Sequence, residues 1–222
     1  MCLIVLGWQA HPELSLVVAA NRDEFHRRPS AVAAFWDDHP GILAGRDLEA
    51  LGTWMGISRG GRFAAVTNYR GGTERSAPES RGALVTRFLL GSLPTADFFA
   101  DIEKKQAAFS GFNLLACDGE ELWWMSNRDG APRRLGPGLY GLGNTLLDAP
   151  EVDLIKTSFR GVLESTPGTE PLFSLLDSAR IVHPDYGTRC STVLLKGRQQ
   201  TQYAERGFSP AGQALETVRY LF

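Results

Sequence analysis

The order of apolar patterns constrains this chain most. Runs with strand character come first, amphipathic helical runs follow, and the two kinds of block repeat before strands close the chain. Residues 3–6 and 14–20 are apolar runs joined by a polar turn at His11-Pro12, the pattern of a hairpin. Asn21-Arg22-Asp23-Glu24 ends that hairpin, and a Pro- and Trp-containing loop is expected to about Gly52. Residues 53–58 and 62–68 form a second strand pair around Gly60-Gly61, and 71–78 read as polar and irregular. Ser80 reads as a helix N-cap, ahead of Leu84, Val85, Phe88 and Leu89 on one helical face. Thr95 caps a second helix, with Phe98 and Ile102 on a shared face. Residues 112–116 and 122–126 are strands around the Asp118-Gly119 turn. After the Gly-rich stretch 136–143 come two helices, 151–165 and 171–179. Strands at 191–196 and 202–208 and a short segment from Ala214 complete the chain. Strict β–α alternation is absent, which argues against a doubly wound parallel sheet. An α+β fold of two mostly antiparallel sheets covered by helices fits.

The 222 residues allow one substantial core, and with no repeat or linker, 1–222 read as a single domain. A net charge of −2 with 22% charged residues argues against nucleic-acid or membrane-surface binding. No apolar run approaches the roughly 20 residues of a membrane span. The N-terminus has no basic region followed by an apolar core and a small-residue cleavage site. A soluble, cytoplasmic protein is the expectation. Cys2, Cys117 and Cys190 are scattered and suggest no disulfide framework. No C-x-x-C and no paired histidine spacing points to a metal.

Cys2 has two readings. It is a small apolar residue opening a strand, or a nucleophile exposed when Met1 is removed. A thiol attacks as thiolate and needs a base or a positive field. An N-terminal cysteine brings its own base, since the free α-amine titrates near about 7.7–8.0. In a hairpin the end of the second strand lies beside the start of the first, which brings Asn21-Arg22-Asp23-Glu24 near Cys2. Arg22 would favour the thiolate and Asp23 would hold the amine, whereas a solvated turn is the plain alternative. Asn68 and Asn144 each follow a strand-like segment and could donate to an oxyanion, or simply make turns. Arg189 could meet a carboxylate or an anionic intermediate, or be structural.

The cysteine after Met1, Ala20-Asn21-Arg22-Asp23-Glu24-Phe25, Arg28-Pro29 and Phe35-Trp36 resemble the NRDE family, that of the transport and Golgi organisation protein. Further matches run in order along the chain. They are 52–58, 64–69, 81–85, Gly111-Phe112-Asn113-Leu114, 140–144, Tyr186-Gly187-Thr188-Arg189 and Glu205-Arg206. A looser similarity is to N-terminal-nucleophile (Ntn) hydrolases of the choloylglycine hydrolase and penicillin acylase type. The resemblance implies a four-layer αββα sandwich and a catalytic set of Cys2, Arg22, Asp23, Asn68 and Asn144, with Asn21, Glu24 and Arg189 as substrate contacts. Arg22 and Asp23 are adjacent here, whereas those hydrolases separate the two residues. The implied activity is a cofactor-free cysteine hydrolase acting on the amide or thioester of a small acyl substrate. The alternative it implies is non-catalytic handling of haem or of an acyl-CoA or lipid ligand.

Overall fold

The computed structural model describes residues 2–71, 77–165 and 167–222. Its strands, in chain order, are β1 (Leu3–Trp8), β2 (Leu14–Phe25), β3 (Ser30–Phe35), β4 (Ile42–Asp47), β5 (Met55–Ser58), β6 (Phe63–Asn68) and β7 (Phe112–Cys117). They continue with β8 (Leu122–Ser126), β9 (Arg133–Leu135), β10 (Gly138–Leu142), β11 (Tyr186–Gly197), β12 (Thr201–Phe208) and β13 (Ala214–Leu221). The α-helices are α1 (Gly82–Leu90), α2 (Thr95–Lys105), α3 (Asp153–Ser165) and α4 (Thr169–Asp177). All strand pairs are antiparallel, so the fold is α+β with two antiparallel sheets. Two compact units divide the chain. The first comprises Met1–Arg28, Pro137–Gly143 and Leu147–Phe222, and the second Pro29–Gly136 and Asn144–Leu146.

The first unit holds a six-stranded sheet in the order β10-β1-β2-β11-β12-β13. The expected hairpin is present, with Leu3 opposite Asn21 and Trp8 opposite Leu16. Odd-numbered residues Val5, Val17, Ala19, Val193 and Leu195 meet Phe159, Leu163, Leu172, Phe173 and Leu176 of α3 and α4. Burial of each large side chain there contributes about 1.5–3 kcal/mol. The even-numbered face of β1 and β2 is buried as well, which is why these strands read as continuous apolar runs rather than alternating ones.

Two segments of this sheet depart from the sequence expectation. Asn21 to Glu24 do not terminate β2. They continue it, because β11 begins at Tyr186 and pairs with β2 as far as Phe25. Residues 138–142 form a strand rather than a Gly-rich break, paired along β1. Its glycine is needed for packing, since a Cβ on Gly141 would lie 2.6 Å from Val152 Cγ2.

The second unit holds a seven-stranded sheet, β3 to β9, in chain order. Phe88, Phe98, Phe99, Leu84 and Val85 of α1 and α2 pack on Ala64, Val66, Leu114 and Ala116. The loop expected before Gly52 contains β3 and β4. Ser80 Oγ accepts from Gly82 N at 3.3 Å at the start of α1. Thr95 opens α2, and its N–H donates to Asp118 Oδ2 at 3.2 Å. Burial works to raise the Asp118 pKa, but hydrogen bonds from Thr95, Glu121 and Glu120 outweigh it and bring it down to about 2. Residues 72–76, within the stretch read as irregular, lie outside the described residues. Among the described residues, no helix is long and apolar enough to cross a membrane.

Candidate active site

The last four polar positions of β2 sit inside a buried sheet, and strand alternation separates them by face. Asn21 points to the helix side. Its Nδ2 donates to the Leu176 carbonyl of α4 at 3.0 Å and its Oδ1 accepts from Ser191 Oγ at 2.6 Å. A buried amide satisfied at both ends pins α4 to the sheet. Asp23 is also on that side, and its Oδ1 accepts from Thr188 Oγ1 at 2.6 Å. Thr188 Oγ1 in turn accepts from Ile181 N at 2.9 Å.

Arg22 points to the opposite face and is only 6% exposed. Glu24, two residues on, lies 4.0 Å from its guanidinium. The same face carries Cys190, which is opposite Arg22 in the register, and Glu205, whose Oε2 accepts from Thr192 Oγ1 at 3.1 Å. Burial pushes the Cys190 thiol well above its ordinary pKa, Glu205 adds to the rise and Arg22 opposes it. This thiol is therefore protonated and inert at neutral pH.

Cys2 lies immediately before β1, half-buried, with its thiol donating to the Asp23 carbonyl oxygen at 3.4 Å. The structure thus brings Cys2 to Asp23, with Arg22 close enough to act on the thiol electrostatically. Burial pushes the thiol pKa up and the Asp23 carboxyl pushes it further, while Asp23 main-chain contact and Arg22 pull the other way. The net direction is upward, so Cys2 does not ionise readily in this setting.

The same carbonyl accepts a second donor, the Tyr186 hydroxyl, at 3.2 Å. Tyr186 is held by its place opposite Phe25 in the β2–β11 ladder and by an edge-on ring contact with Phe25 at 5.3 Å. Gly187 allows the chain to pass closely, since a Cβ there would lie 2.6 Å from the Ile181 carbonyl oxygen. Register then shifts between Thr188 and Cys190, and Arg189 is the extra residue. Its Nη1 donates to the carbonyls of Phe25, His26 and Arg28 at 3.1, 3.1 and 3.2 Å. Arg189 therefore fixes the turn that follows β2.

Asn68 and Asn144 belong to the second unit and meet each other there. Asn144 Nδ2 donates to the Asn68 carbonyl at 2.7 Å, and Arg70 N donates to the Asn144 carbonyl at 2.5 Å. Asn113 Nδ2 donates to the Thr145 carbonyl at 2.7 Å and to Thr67 Oγ1 at 3.2 Å. Asn113, Thr188, Tyr186 and Glu205 had no assigned role at the level of sequence. Their partners come from other strands, so only register could reveal them. Among the described residues, no group of three or more His, Cys, Asp or Glu side chains could hold a metal ion.

A model of the family described as Transport and Golgi organisation 2 matches residues 1–185. The Bos taurus protein named "Transport and Golgi organization protein 2 homolog" is 31% identical over 243 aligned positions, covering 88% of each chain. The Mus musculus protein "Transport and Golgi organization 2 homolog" is 37% identical over 163, covering 68% of this chain and 59% of its own length. The chain thus spans less than two thirds of that mouse relative. Among solved structures, the mutant C2A conjugated bile acid hydrolase from Clostridium perfringens superposes with a TM-score of 0.54 at 10% identity, covering 99% of this chain and 96% of that one. That likeness shows the fold, which is Ntn-hydrolase-like, and the family match shows that this chain belongs to the Transport and Golgi organisation 2 family.

Proposed function

We propose that the chain, once Met1 is removed, is an Ntn-type cysteine hydrolase acting on an amide or thioester bond of a small acyl substrate. The carrying observation is the Cys2 thiol on the Asp23 carbonyl at 3.4 Å, beside a buried arginine at position 22. The upward pull on the Cys2 pKa makes a dedicated base necessary, and the α-amine of the same residue would supply it. In the step proposed, the Cys2 thiol proton passes to the amine and sulfur bonds to the acyl carbon. The amine or thiol leaving group departs with that proton. Water then attacks the thioester, gives a proton to the Cys2 sulfur through the amine, and releases the acid. The oxyanion roles expected of Asn68 and Asn144 are carried forward on the sequence resemblance alone. Purified chain lacking Met1 should release p-nitrophenolate from p-nitrophenyl acetate, and Cys2→Ala should abolish that release above the background of the remaining protein.

A second reading rests on the same pKa direction. With Met1 attached, a neutral thiol and no amine base would leave ligand handling without turnover, for an acyl group or haem. A haem titration of the Met1-bearing chain would then give a spectral change that Cys2→Ala alters only if sulfur is the ligand.

A further inference from the structure

The hydroxyl of Tyr186 and the thiol of Cys2 converge on one oxygen atom, the Asp23 carbonyl, at 3.2 and 3.4 Å. We infer that Tyr186 is a further catalytic residue, whose hydroxyl donates to the oxygen of the carbonyl under attack by Cys2. The inference deepens the hydrolase reading and rests on it. The two groups come from different segments, the residue that leads into β1 and the start of β11, and meet at β2, so their proximity depends on the register of both ladders. The Tyr186 oxygen is fixed by strand pairing and by the ring contact with Phe25. Its hydrogen is not, because rotation about the Cζ–O bond redirects the donor without moving the oxygen.

At rest the hydrogen satisfies the Asp23 carbonyl. When sulfur bonds to the substrate carbon, the carbonyl π pair moves onto its oxygen, and a charged acceptor forms beside the nucleophile. A hydrogen bond to that oxyanion is charge-assisted and stronger than the neutral one it replaces. The gain appears as charge develops, which is the condition for stabilising a transition state rather than a bound substrate. Phenols also suit the task because the O–H remains protonated at neutral pH while staying a good donor. The strand end is built to hold this residue. Gly187 permits the close pass against Ile181, and Thr188 anchors both Ile181 and Asp23. Arg189 fixes the turn after β2 through three carbonyls.

The test compares two electrophiles on Cys2 in full-length chain shown by intact mass to lack Met1. p-Nitrophenyl acetate passes through an oxyanion, and iodoacetamide does not. Tyr186→Phe keeps the ring on Phe25 and removes one oxygen. The expected result is an acylation rate at Cys2 lowered by at least about tenfold, with the iodoacetamide rate within about twofold of the parent protein. Tyr186→Leu, which removes the ring as well, should show the same acylation deficit if Tyr186→Phe fails to fold. Acylation at the parent rate, or an equal fall with both reagents, would overturn the role of Tyr186 while leaving the hydrolase reading standing. Absence of Cys2 acylation in the parent protein would overturn both, and the parent arm alone shows that result.

Discussion

Each unit buries polar side chains in its sheet, but the two sets differ in charge. Among the described residues of the second unit, the buried polar ones are neutral. Asn113, Thr67 and the Asn68–Asn144 contact pair amide donors with carbonyls and a hydroxyl. In the first unit the set includes Arg22, Asp23 and Glu205, each at or below 6% exposure. Neutral amide donors paired with carbonyls and a hydroxyl hold loops to strands at little cost. Buried charges cost several kcal/mol each to desolvate, and apolar residues of similar size would often serve stability as well or better. A sheet that keeps charges beside a half-buried thiol is therefore arranged for something other than stability. The contrast separates a region that ties the chain together from one that carries the proposed site.

The sharpest way to break that contrast is to delete a charge. Arg22→Leu takes away the positive charge that faces Glu24 at 4.0 Å and shares a sheet face with the buried Glu205, and should cost about 3–5 kcal/mol in denaturant unfolding. The loss should shrink as Glu205 is also made neutral, in Arg22→Leu with Glu205→Gln. Deleting a neutral tie should cost less. Asn113→Leu strands the Thr145 carbonyl and should cost about 1–3 kcal/mol, with no change in the pH dependence of stability. If Asn113→Leu proves the more damaging of the two, the contrast between charged and neutral sets fails.

Much of this was legible in the sequence, and what was not has physical causes. The opening hairpin and the helical faces of α1 and α3 were legible because their apolar residues repeat at the right period. The pairing of Asn21-Arg22-Asp23-Glu24 was not, because four consecutive polar residues carry the signature of a turn. Only the long partner strand β11, which supplies Thr188 and Ser191, makes burial of that run possible. The segments β3 and β4 were missed for a different reason. Half of β3 is exposed, on an edge strand, and Pro29 and His39-Pro40-Gly41 flank these strands with loop-like composition. Cys2 beside Asp23 was legible from the hairpin alone. Tyr186 on the same carbonyl was not, since a contact between β2 and β11 joins residues far apart in the chain.

Two smaller effects sharpen the comparison by pH. Asp118 has its folded pKa lowered to about 2, below the unfolded value of about 3.9. Its stabilisation is therefore present above the unfolded pKa and is lost as pH falls from about 4 toward 2. Because Asp118 is partly solvated, Asp118→Asn should cost only about 1 kcal/mol at pH 7, and parent and variant should converge near pH 2. Asp23 acts on chemistry instead. Its carboxyl is the second cause of the raised Cys2 pKa, after burial. Asp23→Asn should shift the pH profile of Cys2 alkylation in the Met1-bearing chain to lower pH. A shift to higher pH would mean that the carboxyl acts on Cys2 mainly by holding structure.

Intact-protein mass after brief exposure to p-nitrophenyl acetate and acid quench tests the central claim most directly. Two proteins are compared, the chain lacking Met1 and a chain extended at its N-terminus so that the Cys2 nitrogen is a peptide amide. The account predicts one acetyl group on the processed chain, mapped by proteolysis to Cys2, and none on the extended chain. Equal acetylation of Cys2 in both proteins, or none in the processed one, would contradict it.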